Sequence, residues 1–384
     1  MNASREADRS LSSPMRAVPF LACLAVGRVF LMLLAYLPIL LTVVVCLFAR
    51  PLGERLGVID HPDFDRKAHA DPTPLVGGIA VMVPLVLWAT AALALQQDQF
   101  AGFYCSILLC GGGIAVLGFM DDQHTISAGG RLLLVVMFSA IALRLDPTLV
   151  IDRVHFAAWG WLVTPPLLLP TLTVLSLAGF SSAVNMTDGL NGLVLALVCV
   201  WSICLAFLGE SQVSAAASVI AAASAITLLY NLRGRLFLGD CGAFSIAFVV
   251  GVLAIRSHNV GRLPLETALV WFYLPVLDCL RLIPLRLWRG RSPFQPDREH
   301  FHYRLSARVG ERGALIIYAG VVGMTSLIAT IAPQLSLFGL TVASVIFFGF
   351  LLADGLAARS ERPLEAVPMP ANVVALEKKL AKAP

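Results

Sequence analysis

Eleven runs of about 20 mostly apolar residues shape the chain, near 29–48, 75–95, 102–120, 131–146, 159–178, 189–208, 212–232, 236–256, 265–285, 314–332 and 335–354. A helix of that length spans the hydrocarbon core of a bilayer. In that medium every backbone N–H and C=O must be satisfied within the segment, so a run of this kind has few alternatives to a helix. The fourth run is short and the eighth carries polar residues. Composition agrees: 58% of the 384 residues are hydrophobic and 14% are charged, too few to cover a soluble protein of this size. The same numbers exclude a disordered chain and a nucleic-acid binder with a broad basic face. The expected fold class is an all-α integral membrane protein with about 11 transmembrane helices. An N-terminal tail, 1–28, precedes a polytopic domain, 29–354, and a C-terminal tail, 355–384, with the character of an appendage. Arg28 interrupts the first apolar stretch, which favours a retained first helix over a cleaved leader.

Lys and Arg set the orientation. With the N-terminus outside, the inside segments hold about 19 of the 28 basic residues, seven of them in 286–313. The long polar loops, 49–74, 119–131, 179–188, 232–240 and 286–313, fall on that same inside face. Polar chemistry gathered on one face suits an enzyme acting at the membrane surface. A transporter would place ionisable groups near the midplane, with repeats and broken helices, and no internal repeat is evident. The eight cysteines, mostly in apolar runs, form no C-x-x-C pair and no metal-ligand grouping with histidine, so they read as small hydrophobes.

Five polar constellations interrupt the apolar pattern. In the first, Arg66, Lys67 and His69 form a cationic cluster before Gly77-Gly78, suited either to phosphate oxygens, with helix-start amides helping, or to anionic lipid. In the second, Asp121 and Asp122 sit together at a helix end, followed by Arg131. Paired carboxylates near a bilayer are costly unless a divalent cation or a basic side chain compensates them; the plain alternative is a solvated helix cap. In the third, Asn185, Asp188 and Asn191 recur at threes, so a helical turn would align them to hydrogen-bond a nucleobase, ribose or sugar. In the fourth, Asn231 precedes Asp240, a carboxylate flanked by glycines at a helix start and suited to Mg²⁺. In the fifth, Asp278, Arg281, Arg286, Arg289 and Arg291 lead into Ser292-Pro293-Phe294-Gln295-Pro296-Asp297-Arg298-Glu299-His300-Phe301-His302-Tyr303-Arg304. Its arginines suit bidentate phosphate contacts, and no spacing there favours a histidine metal site.

In order from about 60 to 305, these stretches resemble the polyprenyl-phosphate N-acetylhexosamine-1-phosphate transferases, glycosyltransferase family 4. The Ser292–His302 loop looks like the bacterial branch that uses UDP-N-acetylglucosamine or related sugars. Two positions depart from the family pattern: Tyr303 stands where a further histidine is usual, and Asn191 where aspartate is common. The resemblance implies transfer of an N-acetylhexosamine 1-phosphate, GlcNAc-1-phosphate in that branch, from a UDP-sugar to undecaprenyl phosphate, releasing UMP. That would initiate a cell-envelope polysaccharide at the cytoplasmic face of a bacterial inner membrane, with active-site groups on cytoplasmic loops. It also implies Mg²⁺ or Mn²⁺ held by Asp240 and Asp121, and admits a homodimer. Asp121, Asp122, Asp240, His300 and His302 are then the catalytic candidates. Arg66, Lys67, His69, Asn185, Asp188, Asn191, Asn231, Arg298 and Arg304 are the substrate-binding candidates. The rivals are a polytopic transporter of an anionic or phosphorylated substrate without chemistry, and a non-catalytic scaffold.

Overall fold

A computed structural model describes residues 37–61, 71–95, 100–151, 153–157, 159–163, 168–293 and 297–360. Helices α1 (Leu37–Leu47) and α2 (Ala49–Leu56) meet at a 75° bend, and two residue pairs, β1 (Ile59–Asp60) and β2 (Thr73–Pro74), pair antiparallel. Then come α3 (Gly77–Leu95), α4 (Ala101–Gln123), α5 (Ala128–Leu145) and a hairpin of β3 (Arg153–Phe156) with β4 (Gly160–Val163). Six more helices follow: α6 (Leu169–Thr187), α7 (Leu193–Leu208), α8 (Ser211–Asn231), α9 (Gly239–Asn259), α10 (Leu265–Trp288) and α11 (Phe301–Ile331). The last helix is α12 (Ser336–Ser360).

Among the described residues nine helices are long and apolar enough to cross a membrane, and the bent pair α1–α2 makes a tenth. The 16-residue α7 coincides with the remaining apolar run. Side chains such as Phe207, Trp288 and Ile331 are more than three-quarters exposed, as lipid-facing residues are. The chain is a multi-pass membrane protein. The expected span at 159–178 starts later than its hydropathy suggests. Gly160 turns the chain at a φ of 74° into the β3–β4 hairpin, and Pro170 then occupies the first turn of α6, where a missing N–H costs nothing. A division near Ala343 separates the main unit from a second one, in which the described residues continue α12 to Ser360 and Phe347 meets Phe348 edge to face.

Helix α9 is the core of the main unit. Every residue from Cys241 to His258 is buried, and α3, α4, α6 and α7 pack around it. Small residues make this close packing feasible, as in membrane bundles generally. A Cβ on Gly78 would collide with the backbone of Gly242, and one on Gly118 with the carbonyl of Asp240. The amides of Gly77 and Gly78 donate to the carbonyls of Phe237 and Leu238 at 2.9 and 2.8 Å. These glycines therefore seat α3 on the approach to α9, and their N–H groups are not available to a phosphate as the sequence suggested.

At the far end of α9, Arg256 pairs with Asp146 at 3.1 Å and lies over the Phe103 ring at 5.0 Å. Asn259 donates to the carbonyls of Thr148 and Val150. This end is thus tied to the loop after α5, and the Asp240 end to α3 and α4. Replacing Gly78 by Leu should abolish monodisperse protein on size-exclusion chromatography in detergent. Gly179→Ala, where an added Cβ meets nothing within 4 Å, should elute and melt like the parent. Normal elution of Gly78→Leu would overturn the close-packing account.

Candidate active site

Four helices deliver the central cluster. Asp121 and Asp122 lie in the last turn of α4, Arg131 in the first turn of α5, Asn185 near the end of α6, and Asp240 in the first turn of α9. Both Asp122 oxygens accept main-chain N–H bonds, from Asp240 at 2.8 Å and Cys241 at 3.1 Å. A carboxylate there satisfies two of the orphan donors of the helix start and favours its dipole. Gly239, at a φ of 74°, is where the chain turns into α9, and a Cβ on it would meet the Asp122 carboxylate at 2.7 Å. Asp122 is therefore occupied in holding the start of α9, and Asp240 with it.

Asp121 is equally committed. Its Oδ1 accepts from the Ile126 N–H at 2.6 Å and its Oδ2 from Arg131 Nη1 at 2.7 Å, and its side chain is only 3% exposed. The same Arg131 Nη1 lies 3.0 Å from Asp240 Oδ2, while Asn185 Nδ2 donates to Asp240 Oδ1 at 2.7 Å. The Asp240 side chain is 30% exposed, against 3% for Asp121. Arg131 entered the sequence reading only as a possible compensator of the aspartate pair; here it bridges two of the carboxylates.

The turn after α6 corrects one expectation. The helix stops at Thr187, and Gly192, at a φ of 84°, redirects the chain into α7. Asn185, Asp188 and Asn191 therefore do not share one helical face: Asn185 is in the helix, Asp188 caps it and Asn191 is exposed on the following turn. Burial, reinforced by the negative charge of Asp122, pushes the Asp188 carboxyl up to about 7. Asn231 is buried at the end of α8 and donates to the Leu236 carbonyl at 3.0 Å, shaping the turn that leads to Asp240. Its Oδ1 is buried with no partner among the described residues.

A second cluster forms around Asp278 in α10. One of its oxygens accepts from His300 Nδ1 at 2.8 Å and from the Phe301 N–H at 3.0 Å, and the other from Arg281 at 2.8 Å. Arg286 holds Asp297 at 2.8 Å, donates to the Pro293 carbonyl at 2.7 Å and lies 3.4 Å from His300 Nε2. With both ring nitrogens facing protein partners, buried His300 organises the loop and is not presented to a substrate. Burial alone would raise the Asp297 carboxyl, but the Arg286 hydrogen bond and the Glu299 N–H outweigh it and hold that carboxyl below the usual range. His302 stacks on His300 with ring centroids 5.6 Å apart, and its Nε2 is buried without a partner among the described residues. A Cβ on Gly189 would collide with that nitrogen, so His302 and Tyr303 lie against the Asp188–Gly189 turn. This contact joins the second cluster to the first. Arg304 is half-buried and Arg298 exposed on the same segment, while Arg66, Lys67 and His69 lie outside the described residues. Asp278 had no assigned role in the sequence reading, although an aspartate within an apolar run is costly enough to have marked it.

Chemically, the site offers the partly exposed Asp240 carboxylate, a neighbouring amide and one bridging guanidinium. Among the described residues no three His, Cys, Asp or Glu side chains converge as a closed metal cage. That donor set suits Mg²⁺, which takes one or two protein carboxylates and completes its shell with water or phosphate oxygens.

Two measurements test these assignments. The unfolded chain releases the Asp188 proton near pH 3.9, whereas the folded protein retains it until about 7, so folding loses stability across that window as pH rises. In metal-free buffer, the melting temperature of Asp188→Asn minus that of the parent should be flat below pH 4, climb between 4 and 7 and level off above. A difference independent of pH would contradict the burial account. Separately, His300→Ala and Asp278→Ala should each cost about 2 kcal/mol in denaturant unfolding, since each strands a buried partner. The double variant should lose clearly less than the sum, and strict additivity would show that the pair is uncoupled.

Comparison with known proteins places this geometry. The model of glycosyl transferase family 4 matches residues 104–258, which contain Asp121, Asp122, Arg131, Asn185, Asp188 and Asp240. The chain is 28% identical over 341 residues to undecaprenyl-phosphate alpha-N-acetylglucosaminyl 1-phosphate transferase of Salmonella typhi, covering 82% of this chain and 88% of the relative. It is 28% identical over 307 residues to the protein of the same name from Escherichia coli K12, covering 76% and 81%. It is 24% identical over 292 residues to a probable undecaprenyl-phosphate N-acetylglucosaminyl 1-phosphate transferase of Bacillus subtilis 168, covering 73% and 78%. With the aspartates, the asparagine and the helix start they surround all inside the matched segment, the chain is similar to glycosyl transferase family 4 over the part that carries this site.

Proposed function

We propose that this protein transfers an N-acetylhexosamine 1-phosphate, GlcNAc-1-phosphate by the names of its relatives, from the UDP-sugar to undecaprenyl phosphate on the cytoplasmic face of a bacterial inner membrane. The observation that carries the reading is the convergence of Asp121, Asp122, Arg131, Asn185 and Asp240 at one end of the buried helix α9. An oxygen of the lipid phosphate attacks the sugar-bearing phosphorus. The bond from that phosphorus to the bridging oxygen breaks, and UMP leaves with the oxygen and its electron pair. The products are undecaprenyl-diphospho-sugar and UMP, and the step would initiate a cell-envelope polysaccharide.

A phosphate monoester is already largely dianionic at neutral pH, so the acceptor needs little deprotonation. The obstacle is bringing one anion to another, and the protein's task is positioning and charge compensation. Mg²⁺ or Mn²⁺, when bound, supplies that compensation at the pyrophosphate. Asp240 is the residue to hold it, through oxygens that Arg131 and Asn185 now contact and that a cation could take over. Rotation of the Asn185 amide would present its carbonyl oxygen to the same cation. Asp122 keeps Asp240 in place through the start of α9. Asp121, shielded on both oxygens, fits the task of aiming Arg131 better than that of touching the lipid phosphate. Asp188 and the His302–Tyr303 step line the side where the nucleotide and sugar would lie, with Arg298 and Arg304 available to phosphate oxygens.

The decisive experiment incubates the purified protein with undecaprenyl phosphate, Mg²⁺ and a panel of UDP-sugars while following UMP. UMP released only with a UDP-N-acetylhexosamine, and only with acceptor, supports the reading. Movement of the sugar nucleotide into vesicles without UMP would establish the transporter instead. Asp240→Asn should lower turnover by more than about 100-fold, the scale expected when a group acting on developing charge is lost, with the melting temperature kept within a few degrees. Turnover near that of the parent would remove Asp240 from its role.

A further inference from the structure

We infer that Arg131 is an exchangeable counter-cation: it holds Asp240 in the metal-free protein, yields that carboxylate to the divalent cation, and is thereby released toward the acceptor phosphate. The inference rests on the proposed function in one respect, that a divalent cation is held at Asp240.

The geometry behind it is asymmetric. A single nitrogen, Nη1, serves both carboxylates, at 2.7 Å from Asp121 and 3.0 Å from Asp240. The Asp121 side chain is 3% exposed and has a second anchor in the Ile126 N–H, whereas the Asp240 side chain is 30% exposed. Of the two contacts, the one to Asp240 is the longer and the better hydrated, so it is the one that opens. Asp121 then remains as a tether, and the Phe244 ring, 5.9 Å from the guanidinium carbon, gives the cation a face to stay against.

The charges call for such an exchange. Asp121, Asp122 and Asp240 bring three negative charges when ionised, and among the described residues Arg131 is the cation bonded to them, which favours a divalent ion at this cluster. Arg131 also has donor capacity to spare. A guanidinium carries five N–H groups, and its Nε is buried with no partner among the described residues. An anion arriving beside Asp240 would satisfy it. Without the exchange, the arginine and the metal would compete for Asp240 Oδ2.

The test reads metal binding directly, by electron paramagnetic resonance of Mn²⁺ titrated into the purified protein in detergent. Mn²⁺ should bind the parent and not Asp240→Asn; if the parent fails to bind, the metal reading itself falls, and this inference with it. If the parent binds, Arg131→Gln should bind Mn²⁺ roughly three- to tenfold more tightly, the scale set by a partly exposed charged hydrogen bond. The same variant, loaded with Mn²⁺, should bind a short-chain polyprenyl phosphate at least about tenfold more weakly, as expected on losing a charge-assisted contact. Mn²⁺ affinity unchanged or weakened in folded Arg131→Gln would overturn the exchange while leaving the metal reading intact. Should that variant not fold, Arg131→Met decides the matter: a neutral side chain of similar length cannot compete for Asp240, so Mn²⁺ should still bind more tightly than in the parent, and no gain would overturn the proposal.

Discussion

The two hydrogen bonds that the amides of Asp240 and Cys241 donate to the Asp122 carboxylate fix the start of the most buried helix among the described residues. Each helix start leaves backbone donors without partners, and inside an apolar assembly water cannot be counted on to meet them. Here a side chain from α4 does so. Because Asp121 is the adjacent residue, the helix that provides the cap also provides the ligand that holds Arg131. Helix seating and charge placement are therefore one arrangement, and Asp240 is among the residues whose own amide is capped.

Close approach is the second half of that arrangement. Gly78 and Gly118 bring α3 and α4 against the first turn of α9 without a Cβ between the backbones. The carbonyls of Phe237 and Leu238 are used by α3, so the approach to Asp240 is pinned from one side by main chain and from the other by a carboxylate. The group left between these two anchors is small: one carboxylate, one amide and one guanidinium.

Much of this was legible in the residues because its signal is local. Apolar runs of membrane length announce the helices, and carboxylates at the ends of such runs stand out because they are costly there. The β3–β4 hairpin was not legible: four-residue strands in an apolar context look like the beginning of a span. Helix geometry also misled at Asn185, Asp188 and Asn191, where spacing by threes suggested a turn that Gly192 ends. The pairings that define the site were beyond local reading. Arg131 reaches Asp240 across 109 positions, and His300 reaches Asp278 across 22. Sequence could name those residues as charged and out of place, but only the fold decides which of them share a proton or a bond.

Helix α9 also acts as a ruler. Asp240 and Arg256 stand sixteen positions apart, about 24 Å at 1.5 Å per residue, close to the thickness of a hydrocarbon slab. From Cys241 to Ile255 the helix offers a single hydroxyl, that of Ser245, and that hydroxyl is bonded to its own helix. The carboxylate end and the arginine end thus belong to opposite surfaces, with no polar ladder along the core helix between them. If the proposed transfer takes place at the carboxylate end, its product forms in the leaflet that borders that surface.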